Sequence, residues 1–214
     1  GLPKGPRGGM GSLRHWEEFI LHAVERRPHR QFMPGRFLLL LALLPLAGCD
    51  PIFDVAGAHG VRRVVYPSSI STYRDQADYG DAVLDEDSEQ LPFSVYGVTK
   101  LANEFAARSY TRNTGLDCRG LRICTVFGHG RLTGRSAAAS AMISSAAVGE
   151  AYRCPVIAKQ TSPYIYVEDV ADLMVRSVFS EKLQRDVYCV GSHRASLGEI
   201  ADMVRDYVPD ADIT

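Results

Sequence analysis

Residues 60–69 read Gly-Val-Arg-Arg-Val-Val-Tyr-Pro-Ser-Ser. Gly60 closes a short helical stretch over 53–59, because glycine accepts the left-handed conformation that ends helices. Residues 63–66, Arg-Val-Val-Tyr, are β-branched and aromatic and predict a short buried strand. Pro67, Ser68 and Ser69 then stand at its carboxyl end, where open α/β sheets collect their ligands. Working outward, residues 73–92 are polar and acidic and predict a long loop. Ser94 caps a helix running to about 112, with Val98, Leu101, Phe105 and Ala106 on its apolar side. A strand is expected over 118–126, a small-residue helix over 137–148 and an extended stretch over 164–167. A helix over 170–179 turns Val170, Leu173, Met174 and Val178 inward, and a strand follows over 187–190. Ser196 with Glu199 spells a capping box ahead of Leu197, Ile200, Ala201, Val204 and Val208. Strands alternating with helices predict an α/β fold with a parallel sheet.

The chain has 214 residues, 46% hydrophobic and 23% charged. That composition excludes collagen-like, low-complexity and wholly disordered classes. With 24 Lys and Arg against 25 Asp and Glu, bulk charge offers a nucleic acid nothing. The charge is unevenly placed: residues 1–36 hold seven Lys/Arg and three Asp/Glu. Five cysteines, an odd number with no C-x-x-C pair, argue for free thiols in a reducing cytoplasm and against a disulfide framework or zinc site. Residues 1–11 are rich in Gly and Pro and predict a tail, and residues 12–25 carry a helical pattern. Residues 37–47, Phe-Leu-Leu-Leu-Leu-Ala-Leu-Leu-Pro-Leu-Ala, are too few to span a bilayer but match a signal-peptide apolar region. Leu46-Ala47-Gly48-Cys49 resembles a bacterial lipobox. A lipid-anchored envelope protein, attached through Cys49, therefore competes with a cytoplasmic protein whose apolar run is a buried element.

Tyr96 and Lys100 are four apart on the helix capped by Ser94 and share one face. A tyrosine hydroxyl is a poor base at neutral pH, and an ammonium beside it favours the phenolate. Such a pair takes a proton from an alcohol while hydride leaves the same carbon. A serine at the end of the preceding strand can hydrogen-bond that oxygen. Each feature alone has an ordinary structural counterpart: a surface tyrosine over a lysine stem, a serine-rich loop.

Four segments occur together in order. They are Gly60 to Ser69, then Tyr96-Gly-Val-Thr-Lys100, Gly120-Leu-Arg-Ile-Cys-Thr-Val-Phe-Gly128 and Tyr164-Ile-Tyr-Val-Glu-Asp-Val-Ala171. The series resembles the extended short-chain dehydrogenase/reductase superfamily, and within it the NAD-dependent epimerase/dehydratase family. That resemblance implies a Rossmann-like doubly wound parallel sheet with a small C-terminal substrate subdomain. It implies NAD or NADP as cofactor and a sugar or small hydroxy compound as substrate. It makes Tyr96 the general acid/base, Lys100 the holder of the nicotinamide ribose, and Ser69 the hydrogen-bond partner of the reacting oxygen. Ser68 would support Ser69 and line the cofactor, and Ile123 and Val126 would line the nicotinamide. Thr125 and Tyr164, with the residues up to Asp169, would lie on the substrate side. Asp169 has a structural alternative, since a carboxylate suits the start of a helix in any case. The resemblance also implies a homodimer, with the helix from Ser94 as one contact.

The likeness covers about residues 52–214. Residues 1–51 are expected to be foreign to the fold, leaving the Rossmann domain incomplete at its N-terminus, and the chain stops where family members usually continue. Gly5, Gly8 and Gly11 have the spacing of a phosphate loop, but only four residues precede them and Pro6 interrupts them. Thr125 stands where sugar-nucleotide epimerases commonly carry Asn. Residues 67–70 and 188–214 look like short-chain threonine 3-dehydrogenases. A threonine 3-dehydrogenase-like enzyme and a non-catalytic remnant thus stand beside the epimerase/dehydratase reading.

Overall fold

A computed structural model describes residues 50–131, 133–134, 136–155 and 158–214. The expected tail, the helix over 12–25, the Gly5/Gly8/Gly11 triplet, the apolar run and the Cys49 box lie outside the described residues. Among the described residues, 50–124 with 168–192 form one compact unit, and 125–167 with 193–214 form a second.

The first unit holds α1 (Asp50–Ala58), β1 (Arg63–Ser69), α2 (Val95–Thr114), β2 (Asp117–Ile123), α4 (mostly; Val167–Phe179) and β5 (Val187–Cys189). Its three strands are all parallel, in the order β1-β2-β5. Strand alternation divides its core in two. On one face Tyr66 and Cys118 pack with Phe53 and Ala56 of α1, Ala107 of α2, and Leu116. On the other, Val65 and Leu121 pack with Met174 of α4, and Ile123, Val170 and Val178 join them. Helices on both faces of a parallel sheet give the doubly wound arrangement that the sequence predicts. Gly120 is required by packing, because a Cβ there would fall 2.7 Å from the Tyr66 ring.

Several expectations need correction. β1 runs three residues past the expected 66, so that Pro67, Ser68 and Ser69 form its carboxyl end. The single strand expected over 118–126 is two, broken at Cys124, and its halves pair in different sheets. The apolar side expected of α2 is only partly the buried one: Val98 is 52% exposed and Phe105 72%, Leu101 is half-buried and Ala106 packs at the core edge, while Gly97, Glu104 and Ala107 are buried. Leu173 is likewise exposed, and Ser177 is buried on α4 in its place. Val170, Met174 and Val178 of α4 do face the core as expected, so only Leu173 departs there. The polar loop after Ser69 is built rather than loose. It starts with a 3-10 turn over Ile70–Thr72 and carries a second over Gln76–Tyr79. It is pinned by Tyr73 Oη to the Asp85 carbonyl at 2.6 Å and by the Arg185–Asp87 ion pair at 2.7 and 2.8 Å.

The second unit holds β3 (Thr125–Phe127), α3 (Ala138–Ala147), β4 (Thr161–Tyr166), β6 (His193–Ser196) and α5 (Leu197–Tyr207). β3 and β4 are parallel, and β6 runs antiparallel to β4. Phe127, Met142, Ile143, Tyr164, Tyr166, Ile200 and Val204 are at the centre of its core. The capping box of α5 is present in both directions: Ser196 accepts from the Glu199 amide and Glu199 accepts from the Ser196 amide.

Candidate active site

The site starts from the end of β1. Ser69 leaves the strand with extended backbone and caps the 3-10 turn, its Oγ accepting the Ser71 amide at 3.1 Å. Thr72, fully buried, returns a hydrogen bond from its hydroxyl to the Ser69 carbonyl at 2.9 Å. This turn abuts the start of α2. Ser94 caps that helix by accepting the Gly97 amide at 3.0 Å, satisfying one of the orphan donors of its first turn. Gly97 is there because nothing larger fits: a Cβ would stand 2.1 Å from the Ser71 carbonyl oxygen and 3.0 Å from the Pro92 Cβ. Gly115, at φ 76°, ends α2 in the left-handed conformation.

Tyr96, beside Gly97, is 50% exposed. Lys100, one turn on, donates from Nζ to the Pro67 carbonyl at 2.8 Å and lies 5.5 Å from the centre of the Tyr96 ring. That separation is within cation–π range. The lysine is thus tied to the strand that ends in Ser69, beneath an accessible tyrosine. Ile123 is the β2 residue in register with Ser69. The structure therefore gathers Ser68, Ser69, Tyr96, Lys100 and Ile123 in one unit. Thr125, Val126 and Tyr164 belong to the second. There Thr125 and Tyr164 are register partners across β3 and β4, and the Val126 carbonyl accepts from Arg131. The Tyr164 ring is a core group, edge-on to Phe127 at 6.4 Å, and burial pushes its hydroxyl above the usual tyrosine range. Asp169 sits in the first turn of α4 beside Glu168.

Ser68 behaves differently from Ser69. It faces α2 and donates to Glu104 Oε1 at 2.5 Å. Glu104 and its partner Arg122 are the two residues of this neighbourhood that sequence reasoning missed. They are 0% and 1% exposed, and the guanidinium meets the carboxylate through Nε at 3.0 Å and Nη2 at 2.9 Å. Gln90 supplies a fourth donor at 3.0 Å. Burial works to raise the Glu104 carboxyl. Hydrogen bonds from Arg122 and Ser68, the Arg122 charge and Gln90 outweigh it and hold that carboxyl below the usual range. Arg122 also donates to Tyr73 Oη and stacks 5.0 Å from that ring's centre. Burial, with the Cys189 hydrogen bond, pushes the Tyr73 phenol upward. A signal was present in the sequence, since Glu104 follows Lys100 at the same spacing of four.

An ammonium, a phenol and a serine hydroxyl thus stand near the carboxyl end of a parallel strand, where open α/β sheets collect their ligands. Among the described residues, no group of three or more His, Cys, Asp and Glu could hold a metal ion, and no helix is long and apolar enough to cross a membrane.

Residues 45–191 match the model of the NAD dependent epimerase/dehydratase family. The chain is 30% identical over 120 residues to the dTDP-L-rhamnose 4-epimerase of Burkholderia thailandensis, covering 55% of this chain and 32% of that protein. It is 25% identical over 173 residues to the mitochondrial L-threonine 3-dehydrogenase of Bos taurus, covering 79% of this chain and 46% of that one. The holo structure of the GalE-like L-threonine dehydrogenase of Cupriavidus necator superposes with a TM-score of 0.66 at 26% identity, over 76% of this chain and 53% of that one. The chain thus spans a third to a half of the length of these proteins.

Proposed function

The chain belongs to the NAD dependent epimerase/dehydratase family, and from that membership we propose that its first unit carries the nicotinamide side of an oxidoreductase site acting on a hydroxyl-bearing carbon. Lys100 and Tyr96 would hold the nicotinamide ribose of NAD or NADP, with Ser68 and Ile123 behind them. The bound dinucleotide supplies the hydride acceptor. Tyr96 takes the proton of the substrate hydroxyl as general base, with the Lys100 ammonium 5.5 Å from the centre of its ring. Ser69 donates to the same substrate oxygen and orients it, exchanging the bond it donates to Ser71 Oγ at 3.2 Å for one to substrate. The single observation that supports this reading is the Lys100 tether to Pro67, which keeps an ammonium beneath an accessible tyrosine at the strand end bearing Ser69.

Two substrate classes follow from two observations. Thr125 in place of Asn, with the 79% coverage by the L-threonine 3-dehydrogenase match, favours a small amino alcohol or hydroxy acid. The 30% identity to a sugar-nucleotide epimerase favours a nucleotide sugar. A dehydrogenase releases reduced dinucleotide and an epimerase does not, so absorbance at 340 nm separates them. Calorimetric titration of the full chain with NAD and NADP tests the shared premise. We expect micromolar binding that Lys100→Met weakens at least tenfold, and turnover that Tyr96→Phe abolishes. Absence of binding at millimolar dinucleotide sinks the enzyme reading and leaves a non-catalytic remnant. The outer face of α2, with Val95, Val98 and Phe105 exposed, is proposed as the contact for a second copy of the chain.

A further inference from the structure

Tyr96, Lys100 and Glu104 form one stripe along α2, spaced four apart. Lys100 meets the carbonyl of Pro67 and Glu104 meets the hydroxyl of Ser68, so the stripe engages consecutive residues of β1 just before Ser69. The Glu104 carboxylate is saturated. Ser68 Oγ and Arg122 Nε bond Oε1, and Arg122 Nη2 and Gln90 Nε2 bond Oε2. Two carboxylate oxygens offer about four acceptor sites, so none is left over. The donors come from three separate segments, and each leads into the site. Ser68 precedes Ser69, Arg122 precedes Ile123, which is in register with Ser69, and Gln90 lies four residues before the Ser94 cap of α2.

Stability alone is a poor reason for this arrangement. Well-packed apolar residues commonly replace a buried ion pair without loss, whereas an ion pair with fixed hydrogen-bond directions specifies one geometry. We propose that Glu104 is a positioning residue for the site of Ser69, Tyr96 and Lys100, fixing the end of β1 against α2 through Ser68 and so setting where the Ser69 hydroxyl stands. The role toward substrate rests on the oxidoreductase reading; the positional claim does not.

Removing Glu104 itself leaves Arg122 buried and unpaired and threatens folding, so Ser68→Ala is the informative change. It deletes one of the four donors and a single oxygen, and leaves the ion pair intact. Native-state hydrogen exchange on the full chain reads the result without any substrate. The Ser71 amide bonds Ser69 Oγ and the Tyr73 amide bonds the Ile70 carbonyl. We expect protection at these two amides to fall about tenfold, with the β2 amides unchanged. If the site turns over, kcat falls about tenfold. Unchanged protection at Ser71 and Tyr73 overturns the proposal. So does a uniform loss across all amides that tracks global stability, because Ser68 is then ordinary packing. An inactive chain that shows the local loss defeats the oxidoreductase reading and leaves the positioning claim standing.

Discussion

Gly97→Ala decides whether the glycine in Tyr96-Gly-Val-Thr-Lys100 is present for flexibility or for close approach. On a helix, alanine is ordinarily better than glycine by about 1 kcal/mol, so a flexibility role predicts stabilisation. The structure predicts the opposite sign. The added Cβ would lie 2.1 Å from the Ser71 carbonyl oxygen, with the Pro92 Cβ at 3.0 Å on another side. The Ser71 contact is with backbone, which cannot swing aside as the tip of a side chain can, so α2 and the turn must separate by about 1 Å in a close-packed interior. Overpacking of this kind costs about 1–3 kcal/mol, which exceeds the propensity gain over most of that range. We expect a net loss of up to about 2 kcal/mol in urea denaturation, and a Tm lower by up to about 8 °C for a chain of this size. Misplacing reacting groups by about 1 Å costs about a hundredfold in rate, so turnover should fall far more than stability does. An alanine variant as stable as the parent or more so, with unchanged turnover, would refute the close-approach reasoning.

Three further outcomes are expected. The Glu104 carboxyl is held below the usual range, so its share of stability is complete above its unfolded value and lost as pH falls through the folded one; acid titration followed by circular dichroism should show an unfolding limb that Glu104→Gln flattens. Burial pushes the Cys118 and Cys124 thiols up to about 11, so both should resist iodoacetamide at pH 8 in the folded chain, and stability should decline from about pH 9 to 11 as the unfolded thiols ionise first. Phe105→Glu places a charge on the exposed apolar face of α2, and light scattering should show a dimer for the parent and a monomer for the variant.

Local pattern and tertiary context divided the work at identifiable residues. Gly60, Ser94 and the Ser196–Glu199 box mark helix ends through hydrogen bonds made within a few residues, so they are legible in the chain itself. The parallel sheet, and the common helix face of Tyr96 and Lys100, were legible for the same reason, since strand alternation and the spacing of four are local periods. Which side of α2 is buried was not. Val98 and Phe105 looked like the core side, yet the helix turns Gly97, Glu104 and Ala107 inward. A fully buried glutamate becomes tolerable only when Arg122, Ser68 and Gln90, 14 to 36 residues away, converge on it. Likewise nothing in Ile123-Cys124-Thr125-Val126 marks a break, and only pairing partners far along the chain show that the strand ends there and enters another sheet. Hydrogen bonds and close contacts between distant segments leave no period in a sequence. The shared helix face of Tyr96 and Lys100 could therefore be read in advance, and the buried Glu104 carboxylate and the close approach at Gly97 came only from the tertiary structure.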